Sequence, residues 1–495
     1  METFNKRDDD LSELALTRRE KLLKKNTLAT AFILLAVMAI VVWLIRNNIN
    51  LPIIQIEEST TQESNRAEEE ASPTANLVEY PEYFDGTYIT MVGWWFCWRV
   101  HEQVERFNEE NELYRIQLID FQEEEYAHFL EDMLKGELTF DILYTGGGGY
   151  VEYLIEQNML MDLWVFIDED SEMNREDFFL NILEARQRKD GSLPVISNGF
   201  TIRTMITLSE TVSHLDSWTF SNLLALVHDG VESGMDYPIG RWVPSDLLLL
   251  YMVFNSPQFI DLEAAESALG SPMFFDLLEL LSLLSIEEAS FQPFYPFHHE
   301  FNLLREGEHL FSMFPIFDFM AYIDLATIME GEEVTYIGIP SEDGGFHAAQ
   351  LTFLMGISAS SENPYISWSF IRQFLLPEAD IWGLPTRIDL FQEKLEEAMR
   401  EEWIDVTEGG EEIGLLWRTI IIGEEHVHLR PLSEENADSF RNLVESVTQV
   451  MRFEPRIYEI LMEELEPFLE GDRDAFETAM TMQIRVQTML NVKYR

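Results

Sequence analysis

Apolar residues fall along most of this chain in two rhythms, and one stretch near its start follows neither. Thr27–Ile45 (TLATAFILLAVMAIVVWLI) is an uncharged apolar run about as long as a membrane-spanning helix requires. Residues 55–79 (QIEEST…EEEASPTANLVE) are polar, acidic and almost free of large apolar groups, the composition of a flexible, self-repelling tether. From Tyr80 onward the rhythms alternate. Tyr88–Val92 is a short apolar run ended by Gly93, Glu102–Asn108 is amphipathic at helical spacing, and Arg115–Phe121 alternates like a strand. Tyr126–Leu134 returns to helical spacing, and Asp141–Thr145 is a short apolar strand running into Gly146–Gly149. Such alternation predicts an α/β architecture with largely parallel sheets. No internal repeat of about 20–50 residues is present, which argues against a solenoid or a propeller.

Charge changes the picture at both ends of the apolar run. Arg18, Arg19, Lys21, Lys24 and Lys25 precede it and Arg46 alone follows it, so residues 1–26 are expected in the cytoplasm and the main domain outside. No small-x-small cleavage site follows the run, so an uncleaved single-pass anchor over residues 27–46 is expected in the cell membrane. The 495 residues carry a formal net charge of -57, and residues beyond 46 hold 84 acidic against 25 basic groups. A surface of that sign repels phosphate backbones and excludes nucleic acid as a partner. The one cysteine, Cys97, rules out an intrachain disulfide framework and reads as a small buried hydrophobe in the run Trp94–Trp98 (WWFCW). Residues 80–495 suffice for two core-bearing lobes.

Candidate chemistry is sparse. Gly146–Gly149 follows a strand, but neither a Walker pattern nor G-x-G-x-x-G with a following acid is present. The turn at Thr145 and Gly146 can still offer backbone N–H groups to a polar ligand at the carboxyl end of a strand. His298, His299 and Glu300 with His309 form the one histidine cluster, without the spacing of a metal site. Asp168, Asp170 and Glu172 lack the glycine an EF-hand loop needs and read as a helix-capping turn. No G-x-S-x-G, S-x-x-K or H-E-x-x-H motif appears, and no carboxylate pair stands out among so many acids. The aromatics say more. Trp94 and Trp95 directly follow the first strand and Gly93, where an open α/β sheet presents ligand.

Several blocks of the C-terminal half fall in a recognisable order. They are Leu303–Glu308 (LLREGE), Tyr336–Gly345 (YIGIPSEDGG), Ile357–Ser361 (ISASS), Trp368–Arg372 (WSFIR) and Gly383–Arg387 (GLPTR), closed by Ile457–Glu470 and Val486–Val492. This order resembles the extracellular solute-binding proteins of bacterial ABC importers, family 1 type, in the branch that mostly binds sugars. Leu193-Pro194 with Phe200 and Thr204 resembles the family's crossover strand, although Met205 stands where a Leu is usual. Phe259-Ile260-Asp261 resembles its Phe-Ile-Asp motif, with Leu262 in place of the usual Trp. Glu176-Asp177-Phe178-Phe179 matches the segment that follows an acidic turn in many members.

The resemblance implies an α/β, two-lobed periplasmic-binding-protein fold of type II, preceded by one transmembrane helix. Lobe one takes about 86–196 and 352–376; lobe two takes about 200–350 and much of 377–495, joined by two or three crossovers. It implies capture of a carbohydrate or similar polar solute, with no enzymatic reaction, no cofactor and no metal. The partners would be ABC permease subunits and, through them, a cytosolic ATPase. The residues it points to are Trp94, Trp95, Thr145, Gly146, Asn198, Phe200, Trp242 and Phe317. The family's usual lipidated cysteine is absent near the apolar run. The second class open to the chain is therefore a membrane-tethered sensor or scaffold that keeps the fold without transport coupling.

Overall fold

The computed structural model describes residues 84–94, 98–121, 138–146, 151–241, 244–284, 297–377, 381–400 and 425–493 except 453. It also describes Asn76–Leu77, Phe96, Phe129, Met133, Lys135 and three short strands between 403 and 422, all within the unit Pro73–Arg495. The apolar run Thr27–Ile45 lies outside these residues, and no helix among them is long and apolar enough to cross a membrane.

The first sheet has five strands in the spatial order Asn76–Leu77, Tyr114–Asp120, Thr87–Trp94, Ile142–Gly146 and Phe353–Ile357. Thr87–Trp94 runs parallel to both neighbours, whereas Phe353–Ile357 returns antiparallel beside Ile142–Gly146. A central parallel strand is covered on both faces, and Ile89, Met91 and Val92 are accordingly out of solvent. The helix Trp98–Glu110 makes the crossover to Tyr114–Asp120 and buries Val100, Val104 and Phe107 at helical spacing. Phe107 meets Phe370 of the helix Pro364–Ile371 edge-on at 5.5 Å, so a late segment completes the layer that an early one begins.

The second sheet is built around the ten-residue strand Gly199–Leu208. Ile202 pairs with Ile316 on one side and Ala349 on the other, which makes this strand interior. Ser312–Ile316 and Leu384–Pro385 pair with it, as do Val334–Tyr336 and His347–Leu351. Val447–Val450 extends the sheet in parallel beside His347–Leu351. Phe200, Ile202 and Ile206 face one apolar cluster, while Met205 faces a second that includes the helices Pro455–Leu469 and Ala475–Lys493. Thr219, Ser271, Asp318 and Ser433 each cap a helix by accepting a bond from the backbone N–H three residues on.

The acidic residues Asp168 and Asp170 receive arginine side chains, Arg175 and Arg372, and the capping bond falls just after them. Asp177 accepts from Asn174 N–H at 2.8 Å, and Asp170 accepts from Trp368 Nε1 at 3.1 Å and Arg372 Nε at 2.9 Å. The Asp170 carboxylate is spent on holding Pro364–Ile371 and Arg372, and the bonds from Glu172 N–H, Trp368 and Arg372 keep it below its ordinary carboxyl range despite its burial.

Candidate functional site

The chain passes between the two sheets three times, and the three passages lie side by side. Ile196 bridges to Met355 in the first sheet, and Gly199 begins the central strand of the second. Thr352 alone separates the second-sheet strand His347–Leu351 from the first-sheet strand Phe353–Ile357. Leu384–Pro385 then pairs with Gly199 and Phe200 after the helical segment Pro364–Phe374. Hydroxyls bind the passages together. Thr352 Oγ1 and Thr352 N–H each donate to the Gly199 carbonyl at 3.0 Å. Thr386 Oγ1 donates to the Ser197 carbonyl at 2.8 Å, and Thr386 N–H donates to that of Asn198 at 3.1 Å. Glycine is required at the centre of this seam, because a Cβ on Gly199 would sit 2.1 Å from the Trp382 carbonyl oxygen.

Side chains alternate along a strand, so Gly199, Thr201 and Arg203 share one face as the chain leaves the seam. Gln350 stands directly opposite Thr201 in the register and accepts from Arg203 Nη2 at 2.8 Å. Phe317, just past the strand Ser312–Ile316, lies with its ring centre 5.2 Å from the Arg203 guanidinium and is 38% exposed. Trp382, whose carbonyl packs on Gly199, is 50% exposed and has its ring 6.0 Å from that of Phe353. Phe353 in turn stacks on Tyr144 at 5.6 Å, and Tyr144 on Phe96 at 5.3 Å, so an aromatic column runs from the seam into the first sheet. On the opposite strand face Thr204 Oγ1 lies 2.9 Å from His347 Nδ1, and burial pulls the His347 pKa down to about 4. On the Arg203 face the described residues offer exposed aromatic faces, a hydroxyl, an amide and a guanidinium, while the Thr204–His347 pair lies on the other face of the strand. The chemistry of the Arg203 face is that of a binding surface.

The expected site residues divide. Trp94 ends the central strand of the first sheet, paired with Thr145, and Gly146 pairs with Phe353 beside the seam. Thr145 is wholly buried and its Oγ1 has no hydrogen-bond partner among the described residues. Asn198 lies within the seam, 7% exposed. Phe317 is the expected aromatic that presents its ring to solvent. Phe200 instead points into the core, fully buried with its ring 6.3 Å from that of Phe179, and offers no face to a ligand in this conformation. Trp95 and Trp242 lie outside the described residues, as do Cys97 and Gly147–Gly149.

Thr201, Arg203, Gln350 and Trp382 were not singled out by the sequence reading. A signal for Arg203 did exist, since it is the one charge in the strand GFTIRTMITL. Trp382 immediately precedes the Gly383–Arg387 block. Among the described residues the group spaced for a cation is His228, Asp229 and Glu232, all exposed on the helix Phe220–Glu232, and it includes none of His299, Glu300 and His309. A cavity of about 620 Å³ lies elsewhere in the fold, lined by Tyr322, Tyr336, Glu330, Glu333 and Arg430, and takes no part in the seam.

No protein-family model matches this chain, and no curated protein does. Solved structures do. The sugar-binding protein MalE from the phytopathogen Xanthomonas citri superposes with a TM-score of 0.50 at 14% identity, over 82% of this chain and 98% of that one. An ABC substrate-binding protein from Listeria monocytogenes in complex with cycloalternan gives 0.48 at 14% identity, over 82% and 100%. A family 1 extracellular solute-binding protein from Alicyclobacillus acidocaldarius gives 0.47 at 11% identity, over 83% and 100%. These neighbours are sugar-binding and solute-binding proteins, and at such identity the MalE likeness is one of fold. The chain has the mixed α/β, two-lobed periplasmic-binding-protein fold.

Proposed function

We propose that this chain is a membrane-anchored extracellular solute-binding protein that captures a saccharide or similar polar solute for an ABC importer. The observation that carries the reading is the placement of the exposed rings of Phe317 and Trp382 beside the three-stranded seam, with Thr201, Arg203 and Gln350 next to them. Flat aromatic faces stack on the C–H faces of pyranose rings, and the polar groups satisfy hydroxyls. The strand ends Trp94 and Gly146 of the other sheet lie beside the same passages, Gly146 paired with Phe353. Closure about the seam signals occupancy to two permease subunits and, through them, a cytosolic ATPase.

Thr27–Ile45 holds the domain at the outer face of the cell membrane, with residues 1–26 inside; the basic cluster before the apolar run supports this orientation. Protease added to intact protoplasts should remove the large domain and leave a protected N-terminal fragment. Release of mature protein starting near residue 47 into the medium would contradict the anchor.

Thermal melting of the full-length chain against saccharides, peptides and polyamines tests the ligand class. A ligand at a hundred times its dissociation constant adds about 2.7 kcal/mol to folded-state stability. A saccharide should raise the melting temperature by a few degrees. A shift with peptides or polyamines alone would refute the saccharide.

A further inference from the structure

Arg203 is one of the described arginines without a carboxylate partner, as are Arg188 on the Asn158 amide and Arg305 on the Asn302 amide and the Ile328 carbonyl. Arg186, Arg372, Arg430 and Arg485 each rest on a carboxylate. Arg203 rests on none: among the described residues its contacts are the Gln350 amide at 2.8 Å and the Phe317 ring at 5.2 Å. With 90 acidic groups available against 33 basic ones, a guanidinium without an acidic partner runs against the composition. Arg203 is also largely withdrawn from water, enough that burial pulls its pKa down to about 10. Withdrawing a cation is costly unless an anion compensates it, so such groups are normally paired.

A second observation stands on the same strand face. Thr201 is 7% exposed, and its Oγ1 has no hydrogen-bond partner among the described residues. Buried hydroxyls are normally bonded. The remaining N–H groups of Arg203 are not among the buried unsatisfied atoms, so they still face accessible space. A guanidinium and a hydroxyl thus share one strand face beside an exposed ring, with no carboxylate bonded to either among the described residues.

We infer that the saccharide taken at this seam is an acidic one, whose carboxylate is received by Arg203 with its ring beside Phe317. This rests on the saccharide reading above and narrows it to sugars of the uronic-acid class. The planar guanidinium fork suits a carboxylate in two parallel hydrogen bonds, which neither a neutral hydroxyl nor an ammonium can make.

The test is isothermal titration of the full-length chain with oligogalacturonides, alginate-type oligouronides and glucuronate disaccharides. Each is compared with its carboxyl-reduced neutral counterpart, which keeps the ring and loses the charge. At least one acid form should bind about tenfold or more tighter than its neutral counterpart, the scale of a charge-assisted pair. Arg203→Gln should erase that preference while leaving the melting temperature of the free protein unlowered, and Arg203→Lys should restore part of it. Neutral saccharides binding as well as or better than acids would overturn the inference and leave the saccharide reading standing. Acid binding unaffected by Arg203→Gln would overturn it too. Binding of no saccharide in either form would remove both.

Discussion

The Thr352 hydroxyl and the Thr352 N–H both donate to the Gly199 carbonyl at 3.0 Å, tying two of the three inter-sheet passages at one oxygen. The same glycine faces the Trp382 carbonyl from the third passage. Gly199→Ala should therefore be more disruptive than its small size suggests, because the backbone must shift to admit the methyl group. A loss of about 1–3 kcal/mol is expected, on the scale of overpacking. Thr352→Val removes one hydrogen bond and should cost about 1 kcal/mol. Urea unfolding of both variants checks the order, and a Gly199→Ala protein as stable as wild type would show the seam to be looser than it is drawn.

Glu152 and Arg186 form a buried pair, each side chain about 1% exposed, with a hydrogen bond of 3.2 Å and a second N–O approach of 2.9 Å, and Arg452 Nη1 approaches the same carboxylate at 3.8 Å. Removing Glu152 leaves two guanidiniums withdrawn from water without their shared carboxylate. Glu152→Gln should cost about 3–5 kcal/mol, whereas Arg186→Met, which leaves Glu152 to Arg452, should cost less. The exposed pair Arg430–Glu330 is the control, expected to contribute at most about 1 kcal/mol. A double-mutant cycle by chemical denaturation separates these cases, and equal losses in the two pairs would contradict the burial argument.

Much of the fold was legible in the residues. The strands around Tyr88–Val92, Arg115–Phe121 and Asp141–Thr145 carry short apolar or alternating runs closed by glycine or polar residues, and each appears with bounds shifted by one or two positions. The site was less legible, because side-chain direction depends on pairing register rather than on residue type. Phe200 and Phe317 are both phenylalanines in the crossover neighbourhood. Register alone sends Phe200 into the core, whereas Phe317 falls just past its strand with its ring in solvent. Arg203 acquires meaning only once Gln350 and Ala348 are known to run beside it.

His347 supplies a pH dependence of known sign. Burial lowers its pKa to about 4, below the ordinary value near 6.5. Between those values the unfolded chain binds the proton and the folded one does not, so stability falls as pH drops through the window. Paired carboxylates such as Asp170 act in the same direction, which makes the difference between variants the useful quantity. His347→Gln should lose less stability than wild type between about pH 6.5 and pH 4, read as melting temperature across that range. Parallel pH curves for the two proteins would place the His347 ring in water.

Saccharide capture at the seam is tested most directly by the affinity of a Phe317→Ala, Trp382→Ala double variant. Both rings are substantially exposed, so truncation should leave the melting temperature of the free protein nearly unchanged. Phe200→Ala, from the buried core, should instead cost about 3–5 kcal/mol of stability. Stacking at each ring contributes about 1–3 kcal/mol by analogy with base–aromatic contacts. Titration of wild type and double variant with the same saccharide panel should therefore find at least one sugar that wild type binds and the double variant binds at least about thirtyfold more weakly. Equal affinity in the two proteins, or no saccharide binding to wild type, would contradict the account.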